Sequence, residues 1–339
     1  MVIPAESAVT HSSGPAIARS VGQYALTLWI ALTLNFALPR LAPGDPLEFL
    51  IGGEAGTLSL PQRARVTHEL GLDRPLITQY ARYLGGIASG NLGNSFRYGR
   101  PVTGILVERV GWTLLLLVPA LLLGAIVGTM LGAAAAWRRG SAGEVALLGG
   151  VLALDALPVF WIGMVLIAVF VGALGWLPTF GLLSMDLTNG AALASIGRRL
   201  VLPLATLTIV GVGHTFLVAR AAMLTALAED YVTFAAARGL RERTIVLRHA
   251  LPNALLPIYT NVALGVGALV SGAVLIETLF AWPGLGRLIT DAIAARDYPL
   301  LQGALLLVVV GTVGANLLAD ASYHLVDPRV RRPGAERLG

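Results

Sequence analysis

VGWTLLLLVPALLLGAIVGTMLGAAAAW, residues 110–137, carries no charged side chain between Arg109 and Arg138. A helix needs about 20 apolar residues to cross the hydrocarbon core of a bilayer, so this run spans one with residues to spare. Five further segments meet the same test, at roughly 20–39, 146–173, 200–226, 256–280 and 299–322. Composition agrees: 56% of the 339 residues are hydrophobic, 13% are charged, and the mean hydropathy is +0.76. Soluble domains carry roughly a quarter charged residues. The expected fold is therefore an all-α membrane protein with six transmembrane helices.

Working outward, residues 1–19 read as a polar, disordered cytoplasmic tail, and 20–326 as the membrane domain. The apolar run after the tail is too long for a signal-peptide core, so it reads as an uncleaved first span. Residues 45–105 form a cap between the first two spans, with a helix expected from Pro61 to Leu70 and turns across Gly90 to Ser95. Residues 228–255 form a polar loop between spans four and five, and 327–339 a second tail. Arg138 and Arg139, the loop arginines and Arg329, Arg331, Arg332 and Arg337 lie on one side. Arg198, Arg199, Arg287 and Arg296 lie on the other. The excess places both termini and the polar loop in the cytoplasm, and the cap outside.

Within the second span, Gly124, Gly128 and Gly132 make a small-residue face that favours close helix packing. Pro119 and Pro158 are expected to kink their spans. Trp29, Trp112, Trp137, Trp176 and Trp282 fall near span ends, as an interfacial belt requires.

The polar loop reads EDYVTFAAARGLRERTIVLRHALPN from Glu229 to Asn253. Its first half, Tyr231 to Arg238, has small residues at helical spacing, and Gly239 can adopt the left-handed conformation that ends a helix. A second short helix is expected from Arg241 to Ala250, stopped at Leu251-Pro252-Asn253 because proline cannot continue the ladder. A helix–glycine–helix island between membrane spans has a shape that another protein can grip.

Several chemistries are excluded. All 24 basic residues are arginine, so no phosphate-binding loop of the Gly-x4-Gly-Lys type exists. There is no cysteine, no Gly-x-Ser-x-Gly and no His-Glu-x-x-His; histidines 11, 68, 214, 249 and 324 lie in unrelated segments. The pI near 10.0 does not indicate nucleic acid, because the arginines are scattered over several loops.

The island resembles the cytoplasmic loop of ABC-importer permeases, whose signature is an EAA segment followed by a glycine and then a Leu-Pro pair. Here the aligned residues are Thr233-Phe234-Ala235, Gly239 and Leu251-Pro252. Thr233 and Phe234 depart from the signature, as is usual in the dipeptide/oligopeptide/nickel branch. Other stretches resemble that branch in order along the chain: Arg40 to Pro46, Gly71 to Pro75, Gly90 to Ser95, Pro158 to Gly163, Glu277 to Phe280 with Trp282 to Gly286, and Asp327 to Arg331. The early Pro-Gly-Asp-Pro and the large cap resemble the first of the two permeases in such systems.

The resemblance implies a bacterial inner-membrane permease subunit that forms half of a translocation path for peptides or similar solutes. It also implies a second homologous permease, two ATPase subunits that bind ATP and magnesium, an extracytoplasmic solute-binding protein, and surrounding membrane lipid. No cofactor is expected on this chain. ATPase coupling falls to Thr233, Ala235, Ala236, Arg238, Gly239, Leu240, Arg241, His249, Leu251, Pro252 and Asn253. The cargo, whether dipeptide, oligopeptide, glutathione-like molecule or nickel chelate, is left open. The alternative is a stand-alone secondary transporter or channel, which predicts discontinuous spans, inverted repeats and more acidic relays inside the membrane, where Asp155 is nearly alone.

Three polar groups inside or beside spans are translocation-path candidates: Asp155, His214 and Glu277. Asp155 either meets a cationic group of the cargo or has a structural role, pairing with His214 or Arg220 or capping backbone groups freed by Pro158; the structural role is favoured. Glu277 either belongs to an outer gate or snorkels to the interface.

Overall fold

The computed structural model describes residues 13–41, 59–70, 73–178 and 190–326. Its helices are α1 (Ser13–Leu41), α2 (Leu60–Leu70), α3 (Leu76–Ala88), α4 (Val102–Trp137), α5 (Ala142–Asp155), α6 (Val159–Ile167), α7 (Gly190–Leu227), α8 (Asp230–Ala237), α9 (Glu242–Thr244), α10 (Leu251–Leu279), α11 (Leu285–Ala294) and α12 (Tyr298–Val326). Two π-helical turns extend them: Ala168–Ala173 follows α6, and Ile245–Ala250 leads into α10. An isolated antiparallel bridge, Asn94 to Pro101, is the one extended pairing among the described residues.

By length and composition, Val102–Trp137, Ala194–Leu227 and Tyr298–Ala319 can each cross a membrane. A fourth candidate is broken: Ala142–Asp155 and Val159–Ala173 meet at 98°. Pro158 heads α6 and has no N–H to continue the ladder of α5, so the chain turns there. Pro119 behaves differently, because α4 runs through it without a break.

The glycine face of α4 packs against α7. A Cβ on Gly132 would lie 2.7 Å from the Phe216 carbonyl oxygen and 2.7 Å from the Ala219 Cβ. At Gly128 it would lie 2.7 Å from the Thr215 Cβ, and at Gly124 3.2 Å from the Gly211 backbone. Backbones this close exclude any side chain, so the stripe is a packing device. In turn α7 lies against α10, α10 against α12, and α12 against α1. The last pair is tied by reciprocal amides: Asn35 Nδ2 donates to the Gln302 carbonyl at 2.9 Å, and Gln302 Nε2 to the Asn35 carbonyl at 2.7 Å.

Two ends of the bundle are distinct. At the cap end, Val102, Ile105 and Leu106 of α4 bury against Leu285, Leu288 and Ile289 of α11 and Leu300 and Ala304 of α12. Asp297, 1% exposed, accepts from Ser95 Oγ, the Arg97 N–H and the Leu300 N–H, which pins the turn after α3 to the start of α12. At the island end, Ala133 and Ala136 of α4 and Ala219 and Met223 of α7 enclose Val246, Ala250 and Ala254.

Some expectations shift. The first helix begins at Ser13, inside the segment read as a disordered tail. Leu251-Pro252 does not stop a helix. The wider π turn at Ile245–Ala250 absorbs the missing proline N–H, and the chain runs on directly into α10. Residues 1–12, 42–58, 71–72, 179–189 and 327–339 lie outside the described residues, and with them most of the stretch Arg40 to Pro46, the start of Gly71 to Pro75 and all of Asp327 to Arg331.

Candidate coupling surface and translocation-path residues

The island folds as a short arm on a buried base. Helix α8 ends in paired bonds around its glycine: the Gly239 N–H reaches the Ala236 carbonyl at 2.9 Å, and the Leu240 N–H reaches that of Ala235 at 3.3 Å. With Gly239 at φ 76°, this is the Schellman ending that the lone glycine predicted. Only Ala235 of α8 is buried. Thr233, Ala236, Arg238, Gly239, Leu240 and Arg241 are all exposed. Phe234 stands 69% exposed, a large apolar side chain with no cover from its own chain.

The base is held by contacts that the sequence did not reveal. Val246 and Ala250 bury in the island-end core, with Leu251 packed against it, and Ile245 is buried as well. Tyr231 Oη donates to the Ala226 carbonyl at 3.2 Å, while Asn253 Nδ2 donates to Tyr231 Oη at 3.1 Å and to the His249 carbonyl at 2.8 Å. Asn253 thus ties the first turn of α10 to the start of α8. His249 is half-buried in the π turn, and Pro252 is exposed. Trp137 Nε1 donates to Glu242 Oε1 at 2.6 Å, which ties the end of α4 to the island.

The path candidates separate. Arg220 is committed to Glu144: its Nε lies 3.0 Å from Oε1, and Nη2 contacts the same oxygen. The Gly140 N–H donates to the other carboxylate oxygen at 2.6 Å. Of the structural roles open to Asp155, pairing with Arg220 is therefore absent, because Glu144 takes the guanidinium. Asp155 is exposed beside the bend between α5 and α6, its carboxylate resting on Gly213, where any Cβ would collide with it. His214 is exposed on the next residue. Neither Asp155 nor His214 has a hydrogen-bond or ion-pair partner among the described residues.

Glu277 does not snorkel; it is 0% exposed. Its Oε1 accepts from Thr113 Oγ1 at 2.7 Å, and its Oε2 from the Gly286 N–H at 2.6 Å and the Arg287 N–H at 3.3 Å. Thr113 was not legible as a partner, whereas Gly284 and Gly286 belong to the stretch Trp282 to Gly286 already noted beside Glu277. An acid ending a long uncharged run, followed by Pro-Gly-Leu-Gly, was the available signal.

Two apolar grooves run between α4, α10 and α12. One of about 330 Å³ has Thr113 and Glu277 at its cap end, and one of about 930 Å³ continues past Leu121 to Tyr259. Among the described residues no three His, Asp or Glu side chains are placed to hold a metal.

An arm seated on buried residues, a close-packed helix pair and a sharply bent apolar helix pair are the features the described residues present. The model of binding-protein-dependent transport system inner membrane components matches residues 128–332. The chain belongs to that family. The di/tripeptide transport system permease protein DppB of Pseudomonas aeruginosa (strain UCBPP-PA14) is 38% identical over 332 residues, covering 93% of this chain and 98% of the relative. DppB of Escherichia coli (strain K12), a dipeptide transport system permease, is 36% identical over 334 residues, with 93% and 98% covered. The glutathione transport system permease GsiC of Pectobacterium atrosepticum is 36% identical over 312 residues, covering 90% and 95%. Among solved structures, the MetNI methionine ABC transporter in inward-facing conformations matches with a TM-score of 0.53 at 17% identity, over 66% of this chain and 96% of that one. That likeness concerns the fold alone. The protein is a multi-pass inner-membrane permease subunit of an ABC importer and not an enzyme.

Proposed function

We propose that this permease forms half of the translocation path of an importer of peptides or similar small solutes, driven through the island at Glu229–Asn253. The other half comes from a second, homologous permease. Two ATPase subunits bind ATP and magnesium and grip α8, and an extracytoplasmic binding protein delivers cargo to the cap. The described helices α4, α7, α12 and the broken α5–α6 supply four spans in this reading, with α1 and α10, each 29 residues long, completing six. Both termini and the island face the cytoplasm; residues 45–105 face outward.

One observation carries the coupling role: α8 and the turn after it leave Phe234, Arg238, Leu240 and Arg241 exposed while Val246 and Ala250 anchor the base beneath α4 and α7. A merely solvated loop has no reason to leave a phenylalanine 69% exposed on a helix with a buried foot. The exposed apolar side chain supplies contact area, and Arg238 and Arg241 give orientation to acidic groups on the partner. Closure of two ATPases would then move the arm as a lever, and α7 and α10 with it. Asp155, unpaired beside the bend, faces the path in this reading and attracts a cationic group such as a peptide amine.

Reconstitution tests the proposal. The permease, its partner permease, the ATPases and the binding protein are placed in proteoliposomes, and ATP-dependent peptide uptake is measured. Loss of ATPase association with Gly239→Trp, at normal membrane insertion, is the expected result. Isolation of the chain alone as an active transporter, or normal uptake by Gly239→Trp, overturns it.

A further inference from the structure

Glu277 closes α10 at the end opposite the island, and its side chain begins the next helix. The first three N–H groups of α11 have no partner within their own helix, as at any helix start. Here they are met from other elements: Leu285 N–H donates to Thr113 Oγ1 at 2.8 Å, while those of Gly286 and Arg287 donate to Glu277. The Thr113 hydroxyl in turn donates its proton to Glu277. A carboxylate also suits the positive end of the α11 dipole. Gly284 and Gly286 have no side chains because the Glu277 carboxylate and the Val274 backbone fill that space.

The connection from α10 to α11 is equally constrained. Ala281 takes a left-handed φ of 50°, and the Trp282 N–H reaches back to the Glu277 carbonyl at 2.8 Å. Trp282 is 2% exposed, its Nε1 bonds the Trp112 carbonyl at 2.8 Å, and its ring meets that of Trp112 edge-on. Arg287 Nη1 donates to the Ala281 carbonyl at 2.6 Å. At the far end of α11, Arg97 Nη1 donates to the Asp291 carbonyl at 3.2 Å. No free hinge is left between α10 and α11.

We propose that Glu277 is a positioning residue that joins α10, α11 and the cap end of α4 into one rigid body, so that displacement of the island reaches the outer face undiminished as movement of α11. From Ile245 the chain is helical without interruption to Leu279, so the island's base and Glu277 are two ends of one rod. The outer face of α11 presents Ile293, 57% exposed, together with Ala294 and Arg296. The inference rests on reading the island as the driven arm, but its test does not.

The chain has no cysteine, so paired spin labels can be placed at Leu255, in the second turn of α10, and at Ile293, both exposed. Their distance distribution is measured in the full reconstituted transporter, without nucleotide and with ATP and vanadate. A narrow distribution, identical in the two states, is expected for the unsubstituted chain. Glu277→Ala broadens it and lowers cargo uptake about tenfold while ATP hydrolysis continues, as loss of two or three buried hydrogen bonds implies. Glu277→Gln keeps an acceptor for the α11 N–H groups and restores both the narrow distribution and most of the uptake. Thr113→Val, which removes only the bond to Leu285 and the donor to Glu277, broadens the distribution to a lesser degree. It carries the same test should Glu277→Ala fail to insert.

A narrow distribution with native uptake in both Glu277→Ala and Thr113→Val overturns the proposal. So does a Glu277→Gln variant as inactive as Glu277→Ala with its distances unchanged, because the charge would then be acting on cargo. Failure of the island reading shows separately, as ATPase association unaffected by Gly239→Trp.

Discussion

Arg220 on α7 bonds Glu144 in the first turn of α5 and leaves Asp155, about three turns further along that helix, without an ion-pair partner. The Glu144 carboxylate is held from both sides, by the guanidinium and by the Gly140 N–H, and Ser141 Oγ caps the same turn by accepting from the Glu144 N–H at 3.2 Å. A paired acid and an unpaired one are thereby separated along α5.

The separation is measurable by a double-mutant cycle. Glu144→Ala and Arg220→Ala are each expected to lower the thermal midpoint of the purified permease complex. The double variant loses less than the sum of the two, because each single change strands its partner. Additive losses would show that the pair contributes nothing as a pair.

Asp155→Asn is expected to leave the thermal midpoint unchanged, since no bond is lost. Uptake of cargo with a free amine falls, while uptake of cargo with a blocked amine does not. Competition assays with the two cargo types check this. Equal uptake of both by Asp155→Asn removes Asp155 from the path.

Gly132→Leu forces a side chain into a position where even a Cβ meets the Phe216 carbonyl oxygen at 2.7 Å. Separation of α4 from α7 is expected to destabilise the bundle by about 3 kcal/mol, and insertion yield falls with it. Gly149→Ala, where a Cβ meets nothing within 4 Å, is the control. Thermal melts of the two variants in detergent give the comparison.

Gly239 at φ 76° tolerates asparagine far better than valine. Gly239→Val costs roughly 1–2 kcal/mol in the left-handed conformation and unseats Leu240, whereas Gly239→Asn keeps the helix ending. Pull-down of the ATPases is expected to follow that order. Phe234→Ala, which leaves the backbone intact, should weaken the same association about tenfold if Phe234 seats in the partner's groove.

The island's helix and its glycine were legible in the chain, because both depend on neighbours within a few residues. Small residues at helical spacing form α8, and a glycine at its end takes the one backbone conformation that closes it. The continuation through Pro252 was not legible, since the π turn before it contains Val246 and Ala250, which pack against α4 and α7 far along the chain. Pairings across long separations were equally hidden: Thr113 with Glu277, Tyr231 with Asn253, and Asn35 with Gln302.

Glu277 shows the limit most clearly. Its chemistry, a carboxylate at the end of an uncharged run, marked it as costly and therefore purposeful. Whether it reached water or the head of α11 depended on where Thr113 and the Gly284–Gly286 turn were placed. Composition and local periodicity were sufficient for a helical membrane protein with a grippable island, because hydrophobic transfer and helix endings are local properties; the permease reading came from the resemblance of the island's motif. The partners of each buried charge were decided only when α4, α7 and α10 packed together, because an ion pair is chosen by distance in space and not by distance along the chain.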